Sequence, residues 1–213
     1  MSDDDAHLTE TRLVGEELVH GSFLNVRRDT VRLPGGDTAT RDYVVHPGAV
    51  MIVPMLGDSG GDALQLVLER QYRYPVGQVI IEFPAGKLDS GERSFDCAQR
   101  ELREETGYVA REWAYAGRMH PTVAYSTEHI DIWFARGLAQ GARQLDAGEH
   151  LDVLTATAAQ LFAWCRDGVV TDAKTLVGAL WLNQWQAGQW PLDWRAAPHW
   201  AGAGGVLPVK TAP

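Results

Sequence analysis

Positive charge is in short supply. The chain of 213 residues carries 19 Lys and Arg against 28 Asp and Glu, for a formal net charge of −9. Nonspecific nucleic-acid binding takes its affinity from Lys and Arg on phosphates, so this balance argues against a nucleic-acid partner. Cysteine is scarcer still. Cys97 and Cys165 are the only two, which excludes a disulfide framework and a Cys-rich zinc site. No apolar run reaches the roughly 18 residues of a spanning helix, so no membrane partner is expected. The opening Met1-Ser2-Asp3-Asp4-Asp5 is acidic and lacks the basic-then-apolar order of a secretion signal. Together these absences suggest a reducing cytoplasm. What is present is ordinary globular composition, 45% hydrophobic and 22% charged, in a length that suits one domain with an appendage.

Along the chain, residues 1–12 are polar and read as a mobile start. Residues 13–46 form a β-rich leader, with strands expected over Phe23–Leu33 and Thr38–Val45 around the turn Pro34-Gly35-Gly36-Asp37. Strands follow at Ala49–Pro54 and Leu64–Tyr72. In the second, Leu64, Leu66 and Leu68 alternate with Gln65, Val67 and Glu69, the period of a strand. Val79-Ile80-Ile81 reads as a short buried strand. A helix is expected from about Arg93 to Thr106, stopped by Gly107. Strands near Glu112–Arg118 and His129–Ala135 flank a loop with Pro121, and helices are expected near Thr157–Arg166 and Asp172–Ala187. The interleaving indicates an α/β protein. The tail from Gly188, rich in Trp, Gly and Pro, has no period, and Trp190, Trp194 and Trp200 are candidates to cover an interface. Trp181 and Trp185, four apart, suit the apolar face of a helix. Cys97 reads as a packed thiol.

The segment Arg100-Glu101-Leu102-Arg103-Glu104-Glu105 is the most informative. On a helix, Glu101 lies beside Glu104 and Glu105, so three carboxylates share a face. A solvated face is the ordinary reading of such a run. Here, however, the placement runs against helix electrostatics. Like charges at this spacing cost roughly 0.2–0.5 kcal/mol per pair, and acids beside the negative end of the helix dipole cost about 0.3–1 kcal/mol each. A hard divalent cation, Mg²⁺ or alternatively Mn²⁺, would offset both.

The context extends the pattern. From Gly86, five residues lead to Glu92 and seven more to Arg100, followed by Glu101, Leu102, Glu104, Glu105, Gly107 and Tyr108. This resembles the Nudix box, G-x5-E-x7-R-E-U-x-E-E-x-G-U with U a bulky apolar residue; Tyr108 stands where an aliphatic one is usual. The resemblance implies a Nudix α/β/α sandwich with a mixed sheet, preceded by the small β leader, and hydrolysis of a diphosphate that joins a nucleoside to another group. It also implies Glu101 and Glu105 as principal ligands of the cation, Glu104 as an assistant, and the Ala85 carbonyl in the same shell. Arg100 is then a residue that orients a glutamate, and Glu92 supports it.

The likeness runs over roughly residues 15–185. Glu69-Arg70-Gln71-Tyr72-Arg73, Glu82-Phe83-Pro84-Ala85-Gly86, Gly21-Ser22-Phe23, His46-Pro47-Gly48-Ala49-Val50 and Asp172-Ala173-Lys174-Thr175 resemble, in this order, the ADP-ribose and ADP-sugar pyrophosphatase group. What this implies is conversion of ADP-ribose to AMP and a sugar phosphate. Arg73 is assigned to substrate phosphate, against a salt bridge to Glu69 or Glu82. Arg70 joins it if a bend or bulge gives both a common face. Glu82 is assigned to ribose or adenine, against simple pairing with an Arg. Glu128, in Ser126-Thr127-Glu128, is the candidate general base, with Glu149 second. Pro121 lies nearer the box than the proline usual in this group, so another nucleotide sugar such as GDP-mannose is the alternative. A silent ADP-ribose sensor is a third reading, opposed by the complete set Glu92, Arg100, Glu101, Glu104 and Glu105. The expected organisation is a leader over 1–46 that pairs two protomers, a hydrolase domain over 47–187 and a tail over 188–213.

Overall fold

A computed structural model describes residues 3–21, 24–57 and 61–202. Ser22, Phe23, the middle of the Gly57–Gly61 turn and the end of the tail lie outside the described residues. The chain divides into two compact units, the first made of residues up to Gly48 with His120–His129, the second of Ala49–Met119 and the chain from Ile130 onward.

In the first unit, β1 (Thr11–His20), β2 (Asn25–Arg32) and β3 (Thr38–Val45) form an antiparallel sheet in that order. A 3-10 turn over Asp3–Leu8 precedes it, so structure begins earlier than the polar composition suggests. The expected turn joins β2 to β3: the Gly36 N–H donates to the Leu33 carbonyl at 2.9 Å, and Gly36 sits at φ 97°. That conformation costs a glycine nothing. The loop carrying Pro121 and Glu128 belongs to this unit. The Val44 N–H donates to the Tyr125 carbonyl and the Thr127 N–H to the Val44 carbonyl, both at 2.9 Å.

The second unit is built on β4 (Ala49–Leu56), β5 (Gln65–Arg73), β8 (Tyr108–Met119), β9 (Ile130–Gln140), β10 (Leu151–Thr157) and β11 (Arg195–Ala196), arranged β10-β5-β4-β9-β8-β11. Two short strands, β6 (Gln78–Glu82) and β7 (Ala85–Lys87), pair with β5 and β4. β4 and β9 run parallel and the other pairs antiparallel, so the sheet is mixed. β4 is buried on both faces, which explains its unbroken apolar sequence. Val50 and Ile52 pack toward α1 (Ser94–Thr106) with Phe95, Ala98 and Leu102. Met51 and Val53 pack on the other side with Leu161 of α2 (Ala158–Arg166) and Leu182 of α3 (Ala173–Gln186). Helices on both faces make the α/β/α sandwich. Among the described residues no helix is long and apolar enough to cross a membrane.

Two expectations need correction, and two strands were not foreseen. Leu66, Val67, Leu68 and Glu69 are all buried, so the alternation in β5 separates two covered faces rather than core from solvent. β6 is not fully buried, since Val79 is exposed. β10 has no distinguishing period and is defined by pairing with β5. The tail is structured throughout its described residues, which end at Gly202. Arg195 and Ala196 pair with the edge of β8, and α4 (Ala197–Gly202) follows. Two of its tryptophans pack on the sheet and helices, Trp194 against Trp185, and Trp200 edge-on to Trp133 at 5.0 Å with its Nε1 donating to the Trp113 carbonyl, while Trp190 is exposed beside Trp181.

Candidate active site

The site is built on α1. Phe95, Ala98 and Leu102 form its buried stripe, and Glu105 takes the next step along that stripe. Glu105 is therefore carried out of water, to 2% exposure, on the face turned to the sheet. One of its oxygens accepts the Ala85 N–H at 3.0 Å. Gly107 ends the helix at φ 78°, donating to the Arg103 carbonyl. This is the expected stop.

Arg100 is the hub of the exposed edge. Its Nε and Nη2 donate to the two oxygens of Glu92 at 2.9 and 2.8 Å, and its Nη1 donates to Glu101 at 2.7 Å and Glu104 at 3.2 Å. Nη2 also reaches the Lys87 carbonyl at 3.1 Å. Arg100 thus orients three of the box glutamates, and its hydrogen bonds hold the Glu92 carboxyl below its usual range. Cys97 is buried beneath it, with its thiol pushed up by burial. A Cβ at Gly86 would overlap the Glu101 carboxylate, so the glycine lets the β7 backbone approach that glutamate.

A second group of charges faces the same region from β5 and β6. Glu69 and Glu82 are directly opposite each other across this antiparallel pair, and both are buried. Glu82 is compensated. Arg73 donates to both its oxygens, at 2.7 and 2.9 Å, and Lys174 forms a short ion pair with it. Burial alone would raise the Glu82 pKa, but the Arg73 hydrogen bonds and the Lys174 charge outweigh it and hold it low. Glu69 is not compensated. Among the described residues neither of its oxygens has a hydrogen-bond partner, and burial followed by repulsion from Glu82 raises its pKa. Glu105 is raised first by burial, then by Glu69, Glu101 and Glu149. Glu101 is pushed up to about 7 by burial, with Arg100 opposing. Glu149 acts on all three of these carboxylates.

The arrangement is a set of hard oxygen donors short of positive charge, with Arg100, Arg73 and Lys174 already committed. In donor type and charge it fits a divalent cation. The side chains are not converged on one. Among the described residues no three Asp, Glu, His or Cys side chains are gathered closely enough to hold an ion. Glu101 is turned to Arg100 and Glu105 to the Ala85 N–H.

Compared with known protein families, residues 45–176, more than half of the chain, match the one described as NUDIX domain. The chain belongs to the Nudix family. Nudix hydrolases generally depend on divalent metal ions, in keeping with the uncompensated carboxylates. The chain is 31% identical over 180 residues to a methanol dehydrogenase activator of Bacillus methanolicus, covering 84% of this chain and 95% of that one. It is 30% identical over 178 residues to an ADP-ribose pyrophosphatase of Bacillus subtilis, covering 83% and 94%. An ADP-ribose pyrophosphatase of Mycobacterium tuberculosis is 37% identical over 142 residues, 66% of each chain. A crystal structure of an ADP compounds hydrolase superposes with a TM-score of 0.73 at 23% identity, covering 84% of this chain and 95% of that one, a likeness of fold.

Within this Nudix domain the structure pairs Arg73 with Glu82, Arg100 with Glu101 and Glu104, and Ala85 with Glu105, and Glu149 bears on Glu101 and Glu105 through its charge. Arg70 is set apart. The β5–β6 register runs unbroken from Glu69 to Arg73, so an offset of three puts Arg70 and Arg73 on opposite faces. The bend that would unite them is absent from this ladder. Glu128 is in the first unit, where His46 Nε2 is 3.9 Å from its carboxylate. Sequence reasoning missed Glu69 as part of the cluster. Its signal, a glutamate in an otherwise apolar strand, is visible only once both faces of β5 are known to be covered.

These charges set a pH dependence for the metal-free protein. Glu101 has a folded pKa above its unfolded value, so the folded state binds more protons and stability falls as pH rises from about 4.5 through about 7. Glu69 and Glu105 act in the same direction. A divalent cation needs the deprotonated carboxylates. Mg²⁺ is expected to raise the melting temperature by about 5 °C or more at pH 8 and much less at pH 5.5. Thermal melts at both pH values check this; equal shifts would show that the cation binds elsewhere.

Proposed function

We propose that this Nudix hydrolase cleaves the diphosphate bridge of ADP-ribose to AMP and ribose 5-phosphate, with Mg²⁺ as its cation and Mn²⁺ as a substitute. The observation that carries the reading is the buried, uncompensated carboxylate set on α1 and β5, beside the complete Nudix box. Its support for the substrate is the naming of similar proteins as ADP-ribose pyrophosphatases. Glu101 and Glu105, with Glu104 and the Ala85 carbonyl, would hold the cation, which when bound neutralises phosphate charge and activates water.

The chain's own groups have distinct parts in this proposal. Water adds to one phosphorus, a new P–O bond forms, the bridging P–O bond breaks, and the water's proton passes to a carboxylate base. Glu128, given by the motif resemblance, and Glu149, whose charge raises the carboxyls of Glu69, Glu101 and Glu105, are the two candidates for that base. Arg73 is assigned to a substrate phosphate, and Glu82, buried and doubly paired, holds its guanidinium in place. Arg100 keeps Glu101 and Glu104 oriented. Arg70, exposed and on the opposite face of β5 from Arg73, is left to a peripheral contact with substrate.

The first unit supports a homodimer. Its sheet exposes Leu13, Val14, Leu18 and Val19, with Leu24 exposed just before β2, a set that a second protomer would cover. We also assign the protein to the cytoplasm, which suits its two free thiols.

With Mg²⁺ and a panel of ADP-ribose, GDP-mannose, NADH and diadenosine polyphosphates, ADP-ribose should be turned over with the highest kcat/KM. No turnover of any member would overturn the enzyme, and preference for GDP-mannose would move the substrate. Glu105→Gln should lower kcat by about 10³-fold or more while the protein stays folded. Of Glu128→Gln and Glu149→Gln, the variant that removes the base should lower kcat at least about a hundredfold with KM little changed; full rates in both would exclude both. Light scattering should give twice the chain mass at micromolar concentration, and a monomer would remove the role given to the leader.

A further inference from the structure

We infer that Lys174 and Thr175, in the first turn of α3, are positioning residues for the carboxylate site, acting through the backbone between β6 and β7. The crossing makes this necessary. β6 ends at Glu82 on the ladder with β5, and β7 begins at Ala85 on the ladder with β4. Phe83 and Pro84 lie between the two ladders. Pro84 has no N–H to satisfy, and its carbonyl accepts the Ile52 N–H at 2.9 Å. The Phe83 N–H is left without a sheet partner, and Phe83 is fully buried. Thr175 supplies the acceptor: its Oγ1, in a residue with 0% exposure, takes that N–H at 2.9 Å.

Lys174 restrains the preceding residue. Its Nζ binds Glu82 and lies 3.1 Å from Asp172. Asp172 in turn caps the helix by accepting the Thr175 N–H at 2.8 Å. Met51 and Phe83 press against Gly178 on the same helix, where a Cβ would come within 2.8 Å of Met51 and 3.1 Å of Phe83. Four consecutive residues are therefore fixed: Glu82 by Lys174, Phe83 by Thr175, Pro84 by Ile52, and Ala85 by its bond to Glu105. A helix remote in sequence from the box sets where the Ala85 N–H stands, and so where the Glu105 carboxylate is held. Lys174 also adds a second positive charge, beside that of Arg73, on the buried Glu82.

The kinetic arm of the test rests on the hydrolase reading above; the exchange arm does not. Thr175→Val keeps the shape and removes the acceptor, while Thr175→Ser keeps the acceptor. Thr175→Val is expected to speed amide exchange at Phe83 and Ala85, to lower kcat about tenfold or more with KM within about threefold, and to raise the Mg²⁺ concentration for half-maximal rate. Thr175→Ser should restore all three. Lys174→Met should reproduce the kcat loss and the faster exchange at Ala85, and it decides the matter if Thr175→Val does not fold. Should the folded variants keep kcat within about twofold and Ala85 exchange unchanged, even at a lower Tm, the contacts only brace the fold and the inference is overturned. If the wild-type protein hydrolyses no member of the panel, the functional reading fails, while exchange at Ala85 still decides the positioning role.

Discussion

Carboxylates held out of water beside one another repel, and they do so here at the centre of the second unit. Glu105 is buried because it continues the apolar stripe of α1, and Glu69 because β5 is covered on both faces. Neither position can be relieved by turning toward solvent. The surrounding cations are arranged around this fact. Arg100 is shared among Glu92, Glu101 and Glu104, and Arg73 and Lys174 are drawn to Glu82. Deprotonating Glu69, Glu101 and Glu105 is therefore a cost to the fold without a metal, and a divalent cation bound among them would relieve it.

This resolves the conflict between an acidic chain and an anionic ligand. Residues 1–17 hold six of the acidic side chains against Arg12 alone, and they lie in the first unit. A diphosphate does not need bulk positive charge when a cation and one oriented guanidinium receive it. The overall charge argues against partners recognised along an extended phosphate backbone, and leaves small phosphate esters open.

What could be read from the sequence follows the range of the interactions. Glu101, Glu104, Glu105 and Arg100 are joined by helical spacing, so their common face and the Gly107 stop are legible in one segment. The partners of Glu82 lie at Arg73 and Lys174, 9 and 92 residues away. They emerge only from strand register and from where α3 begins. The separation of Arg70 from Arg73 needed the β5–β6 ladder, because the sequence does not show whether a bulge intervenes. Glu69 could not be distinguished from a solvent-facing glutamate without knowing that β5 is covered on both faces. The final strand escapes pattern reading altogether: two residues long, it exists only as a partner for β8.

That last strand has an effect on how the molecule is made. The apolar face of α1 is completed by Trp200, which packs on Phe95 and Trp133, and Arg93 before the helix donates to the Ala201 carbonyl at 2.8 Å. The Nudix helix is synthesised about a hundred residues before these partners, at roughly 5–20 residues per second. For some seconds of its synthesis the nascent chain therefore carries a finished box with an open hydrophobic flank. The closing of that flank couples assembly of the site to the arrival of the distal segment.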